Sequence, residues 1–282
     1  MNATAARLVA VATCAVLALS GSVEGEAQAR PRQSRDYFLD PPKKGLWAHG
    51  DAFTLGAQGS LELRLPIEDE TFGSLSARAS ALASIGYSEA AAHVDVRYLF
   101  LTLGGSVGYR NVWRSYPGAP GTEVTRDSRR DDDGTKTFGA DAWGYGEARA
   151  RLVVPLDRLW LVTNHAVRYE GSPANTYDWF HTNVHDGGLL YRGDVVLFIR
   201  SASFGALGPM ARYMDMPRGD GRRGELAAGF IYAVRPGLKR RDDLLSLSVL
   251  ARPASDDEFG FHVLRAPLWV MLVYRASFQI LE

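Results

Sequence analysis

The chain has 282 residues, enough for one large β domain or two smaller ones, and its 46% apolar and 23% charged content suits a folded protein. Basic and acidic residues balance at 32 each with no dominant basic block, which argues against a nucleic-acid partner. The only cysteine is Cys14, so the chain beyond it has no disulfide, thiolate metal site or cysteine nucleophile.

Arg7 precedes an apolar run over residues 8–19, and Ala27-Gln28-Ala29 follows. Basic, apolar and small-residue segments in that order predict a cleaved secretory signal peptide over residues 1–29. The alternative, an uncleaved anchor, is disfavoured because a helical span needs about 20 apolar residues. Residues 30–49 are then expected to be an N-terminal tail, where Pro41-Pro42 opposes strand formation.

In residues 53–65, Phe53, Leu55, Ala57, Gly59, Leu61, Leu63 and Leu65 alternate with Thr54, Gly56, Gln58, Ser60, Glu62 and Arg64. Strict alternation gives a strand with one apolar and one polar face. Residues 75–87 repeat the pattern, and a tight turn is expected at Ser88-Glu89-Ala90. In residues 93–113 the apolar parity begins on Val94, Val96 and Tyr98 and passes to Leu103, Val107 and Tyr109. The switch has no Gly, Pro, Asn or Asp, so it reads as a bulge in one strand rather than a hairpin. A polar loop over 115–140 follows, then strands at 143–154, 159–169, 189–199, 204–214, 225–234, 245–252 and 268–280.

Ten strands result. If the parity switch were a hairpin, a further strand from residues 36–50 would make twelve. Short turns at Ser88, at 155–158 and at 200–203, with an intermediate one at 236–242, fall at one end under the ten-strand reading. Longer loops beginning at Ser115, Ser172, Pro217 and Pro253 fall at the other. No later apolar run is long enough for a membrane helix, but a membrane strand needs only about 9–11 residues.

With Ala27-Gln28-Ala29, the alternating strands, the loop asymmetry and a last strand carrying Leu272, Tyr274, Ala276, Phe278 and Ile280, the chain resembles the bacterial outer-membrane β-barrels. The resemblance covers residues 50–282. It implies an all-β, transmembrane, antiparallel up-and-down barrel of about ten strands (alternatively twelve). It also implies both termini in the periplasm, contact with outer-membrane lipid and lipopolysaccharide, and insertion by the barrel-assembly machinery. Members usually end on an aromatic residue, whereas this chain runs past Phe278 through Gln279, Ile280, Leu281 and Glu282. Tyr87, Tyr109, Trp113, Trp143, Trp160, Tyr169, Tyr191, Tyr213, Tyr232, Trp269 and Phe278 gather near strand ends, as interfacial girdles do.

On this reading the polar faces line the lumen, with Glu62, Arg64, Arg78, Asp95, Arg97, Arg110, Glu147, Arg149, Arg151, Arg168, Arg192, Asp194 and Arg275. Unpaired buried charge is costly, so these groups are expected to pair and fill a narrow barrel. The excess of Arg over acid favours anions along any open path. The expected role is structural or small-solute passage, with no cofactor. A lipid-modifying outer-membrane enzyme and a soluble periplasmic barrel binding an apolar ligand are the alternatives.

Chemical motifs are sparse. His165 lies on the apolar parity and is similar in outline to the His-x-Ser strand of outer-membrane lipid hydrolases, but Val167 stands where the Ser is needed. His181 and His185, four apart beside Asp178 and Asp186, suggest metal only if they share a helix, and no helical periodicity surrounds them. The acidic run Asp131-Asp132-Asp133 lacks the bidentate Glu of a calcium loop. Two Arg-Gly-Asp triplets, at 192–194 and 218–220, fit strand and turn composition.

Overall fold

A computed structural model describes residues 43–67, 73–112, 141–173, 176–178, 180–181, 183–201, 205–219, 221–234, 243–255 and 268–281. The expected signal peptide and the whole polar loop at 115–140, with the run at Asp131, lie outside them. Fourteen strands follow in order: β1 (Gly45–Phe53), β2 (Gly56–Ile67), β3 (Gly73–Ser84), β4 (Tyr87–Tyr98), β5 (Leu101–Val112), β6 (Asp141–Leu156), β7 (Leu159–Glu170), β8 (Thr176–Asp178), β9 (Asn183–His185), β10 (Gly188–Ser201), β11 (Gly205–Arg218), β12 (Gly221–Val234), β13 (Leu244–Ser255) and β14 (Leu268–Leu281). Twelve of them close an antiparallel barrel, each paired with the next barrel strand along the chain (β7 with β10), and β1 seals it against β14. β8 and β9 form a separate small hairpin inside the β7–β10 connection.

The barrel therefore has twelve strands, not ten. One additional strand comes from the parity switch, which is a two-residue hairpin at Leu99-Phe100 and not a bulge: Tyr98 pairs with Leu101, and the ladder continues to Tyr87 and Val112. Leu99 sits in the left-handed region at φ 51°, a conformation that costs a branched residue roughly 1–2 kcal/mol. A twelve-residue ladder outweighs that cost, so the turn forms without a turn-favouring residue. Leu99→Asn is expected to raise stability by up to about 1 kcal/mol, read as a shift in urea midpoint, because Asn tolerates this region. An unchanged or lower midpoint would show that Leu99 carries no such strain.

The other additional strand is β1, which takes residues 45–49 from the stretch expected to be tail. The alternation over 53–65 accordingly runs through a turn at Thr54-Leu55 rather than along one strand. Two consequences follow. Phe53 faces inward against the interior cluster instead of outward, and Glu62 and Arg64 lie toward the end carrying the termini, where Arg64 pairs with Gly45. The β3–β4 turn also falls at Ile85-Gly86 and not at Ser88. There the Ser84 hydroxyl accepts from the amides of Gly86 and Tyr87, both at 3.2 Å.

An even strand number brings both chain ends of the barrel to one rim, where Leu46 pairs with Leu281. That rim also carries the β2–β3, β4–β5, β6–β7, β10–β11 and β12–β13 connections. The opposite rim carries the three longest, residues 113–140, 171–187 and 256–267, together with tight turns at 54–55, 85–86 and 219–220. Loop length is sorted less cleanly than a ten-strand count implies, because those turns share the rim of the long loops.

The outer face is apolar. Leu61, Leu63 and Leu65 on β2, Val94 and Val96 on β4, Leu103 and Val107 on β5, and Phe230 on β12 all point outward, with Val107 65% exposed. Tyr109, Tyr169, Tyr191 and Tyr213 ring the long-loop rim on this face, and Tyr98, Tyr232 and Phe278 lie toward the other rim. Tyr87, Trp143, Trp160 and Trp269, grouped with the girdle from sequence, are instead buried at 3%, 4%, 1% and 6% exposure on the inner face. Trp113 lies outside the described residues.

Candidate functional site

The inner face divides into two halves of opposite character. Along β6, β7 and β10–β14, Val153, Trp160, Val162, Val196, Phe198, Met210, Leu250, Trp269 and Met271 pack into an apolar cluster. Such a core removes that half of the lumen from water. The unbroken apolar run from Val195 to Ile199 is its trace in the sequence, since a strand buried on one face and apolar on the other loses its alternation.

Along β1–β7 the inner face is ionic. Glu62 binds Arg64 at 2.9 Å and His49 at 2.8 Å. Asp95 receives a forked contact from Arg149 at 2.6–3.0 Å, and Arg275 holds Asp51 at 2.6 and 2.9 Å. Glu147 pairs with Arg168 at 2.8 Å, and Arg168 also reaches Glu170 at 3.2 Å. Arg110 donates to Glu89 at 2.8 and 3.0 Å and lies 3.7 Å from Glu170. Toward the apolar half, Asp194 accepts from Arg212 at 2.6 Å and lies 3.7 Å from Arg192. Arg97 and Arg151 also occupy inward positions on β4 and β6, and both have interaction partners. Such forked, charge-assisted bonds hold carboxylates firmly.

The inward aromatics accompany this network. Arg64 stacks over Trp47, Arg110 over Tyr87, Arg168 over Tyr145, Arg200 over Trp160 and Arg212 over Trp269, with centroid distances of 4.1–4.9 Å. A weakly hydrated guanidinium against a ring face is favourable where water is scarce. β5 leaves the room: a Cβ at Gly104 would strike the Asp95 carboxylate, and one at Gly108 would strike the Tyr145 ring.

The connection over residues 171–187 folds into the barrel from the long-loop rim. Phe180 meets Phe53 edge-to-face at 6.2 Å, and its carbonyl accepts from the Trp269 indole at 3.0 Å. Asn183 and His185 are fully buried. His181 bonds Asp178 through Nδ1 at 2.6 Å and Arg192 through Nε2 at 2.8 Å. A guanidinium only donates, so Nε2 is the bare nitrogen and Nδ1 carries the proton. Burial pushes the His181 imidazole down to about 4, aided by Arg192 and Arg212 against the pull of Asp178.

Between pH 6.5 and about 4 the unfolded chain therefore takes up a proton at His181 that the folded loop refuses, and stability falls as pH falls through that window. His181→Gln is expected to flatten the decline by at most about 1.4 kcal/mol per pH unit. Urea titrations at several pH values across the window read the slope. Equal slopes for wild type and variant would show that the loop does not keep this imidazole neutral.

His181 and His185 do not converge on one point. The first is engaged as above, and the second bonds the Asp186 carbonyl at 3.0 Å and lies 3.7 Å from Glu170. Among the described residues no group of three or more His, Cys, Asp or Glu side chains is placed to hold a metal ion. His165 is on the outer face, where its Nδ1 bonds the Tyr191 hydroxyl at 2.8 Å. Asp178, which the sequence placed beside the histidines, joins the interior network through His181, and Asp51, Glu89, Glu170, His49 and Arg212, not singled out from sequence, complete it. Asp51 lies on β1, Glu89 fell in the misplaced turn, and Glu170 lies one residue past the assigned end of its strand.

A closed antiparallel ring with an apolar outer face and charged groups in its interior is the architecture of bacterial outer-membrane barrels. The chain has that architecture. No known family profile and no curated protein matches it. Among solved structures it is similar to the beta domain of the Bordetella autotransporter BrkA, at 15% identity and a TM-score of 0.42 over 83% of this chain and 99% of that one. The translocator domain of the autotransporter NalP from Neisseria meningitidis aligns at 13% identity and 0.39, over 85% and 89%. LpxR from Salmonella typhimurium aligns at 10% and 0.38, over 83% and 99%.

Proposed function

We propose that this protein is an outer-membrane barrel of structural or small-solute-passage type with a largely filled, arginine-rich lumen. The observation that carries the reading is the opposition of faces on single strands. On β4, Val94 projects outward at 52% exposure, while its neighbours His93 and Asp95 turn into the network. A soluble barrel would leave this apolar belt in water, whereas a bilayer covers it. The rim with the shorter connections and both chain ends would face the periplasm, and the long-loop rim would face lipopolysaccharide. Insertion by the barrel-assembly machinery belongs to the same reading.

The apolar cluster and the inserted 171–187 connection occupy the space a wide pore needs, so any passage is narrow and confined to the ionic half. The surplus of guanidinium groups there favours anions. Extraction only by detergent and a gel mobility that changes on heating are the expected results. In planar bilayers the protein should show either no conductance or small anion-selective steps. Full solubility without detergent would overturn the membrane reading, and large unselective conductance would overturn the filled lumen.

A further inference from the structure

Arg78 stands apart from the other lumen arginines. Its neighbours in register are Glu62 on β2 and His93 on β4. Glu62 is already committed to His49 and Arg64, and Asp95, the next carboxylate along β4, is gripped from both oxygens by Arg149. Arg78 forms no ion pair or hydrogen bond among the described residues, and its Nε is shut off from solvent without an acceptor. The charges of Arg149 and Arg275 act on it, as do those of Glu62 and Asp95 with the opposite sign, but neither carboxylate bonds it directly. A cation held this way costs free energy until an acceptor arrives.

Beside those committed carboxylates stand two donors, the Ser80 hydroxyl and the Arg149 guanidinium. His93 faces Arg149 Nη1 through Nδ1 at 3.3 Å and Ser80 Oγ through Nε2 at 2.9 Å. Because Arg149 only donates, His93 Nδ1 is bare and Nε2 carries the proton. Ser80 Oγ therefore accepts from His93, and its own hydroxyl proton is left to donate. Ser80 is two residues from Arg78 on β3, on the same inner face.

We propose that Arg78, with the Ser80 hydroxyl and the Arg149 guanidinium beside it, forms a binding site for a small tetrahedral oxyanion such as inorganic phosphate. The planar fork of Arg78 suits two oxygens of such an ion, and Glu62 and Asp95 are each held by their own arginine, which weakens their repulsion of it. The site rests on the lumen reading above but not on conduction: a barrel that never conducts can still bind at Arg78, and a conducting barrel can lack the site.

The test is thermal unfolding of the full-length protein in detergent at constant ionic strength, with chloride replaced stepwise by inorganic phosphate. Wild type is expected to show a saturable rise in melting temperature, as a ligand binding only the folded state requires. Arg78→Met is expected to melt above wild type in chloride alone and to lose the response. If Arg78→Met does not fold, Arg78→Lys decides: it keeps the charge without the fork, and its half-saturating phosphate concentration should rise roughly tenfold. Arg222→Gln, an exposed residue paired with Asp215 at the rim, should respond as wild type does. No phosphate response in wild type, an equal response in Arg78→Met, or wild-type half-saturation in Arg78→Lys would each overturn the proposal.

Discussion

Val94→Arg and Val107→Arg are each expected to cost roughly 2–4 kcal/mol, the penalty for a cation on the lipid face near mid-bilayer. Both side chains lie near the middle of their strands, more than half exposed and pointing outward. In water the same changes would cost almost nothing and would improve solubility, since surface substitutions away from special features stay within about 0.5 kcal/mol. The sign and size of one measurement thus separate lipid from water at the outer face. Refolding into lipid vesicles followed by urea titration, scored by gel mobility, supplies it. A cost under about 0.5 kcal/mol for both variants would remove the membrane reading.

Arg110→Met should be the most damaging single change on the inner face, at about 3–5 kcal/mol. The Arg110 and Glu170 side chains are only 7% and 2% exposed, so little solvent is available to screen the carboxylates left behind. Glu89 would keep one donor, the Tyr145 hydroxyl at 2.6 Å. Adding Glu89→Gln to Arg110→Met should recover part of the loss, because one stranded charge disappears with it. Removing Arg149 from Asp95 should cost less, since those side chains are 26% and 22% exposed. If Arg110→Met costs under about 1 kcal/mol, the lumen at that level is wet and its charges do not depend on one another.

Much of the local structure was legible in the chain. Glu62 and Arg64 against Leu61, Leu63 and Leu65 show how: in a strand, side-chain direction has period two, so each short stretch declares its own faces whatever lies beside it. The turn at Asp157 was equally legible, because Asp tolerates the left-handed conformation it adopts at φ 55°. The Leu99 turn was not, because nothing in a Leu-Phe pair favours it, and only the ladder between β4 and β5 stabilises it. β1 was only the alternative reading for a related reason: its inward His49 and Asp51 make sense only beside Glu62 on the next strand and Ser277 and Arg275 on the last, more than 200 residues on.

Alternation, charge placement and loop composition were therefore enough to specify an all-β barrel with one apolar and one ionic face. The strand number, the division of the lumen into apolar and ionic halves, the insertion of residues 171–187 and the isolation of Arg78 came only with the closed structure. The physical reason is range. Face and turn preference act over two to four residues, whereas closure, register and the pairing of a lumen charge depend on which distant strands become neighbours, and β1 meets β14 across more than 200 residues of sequence.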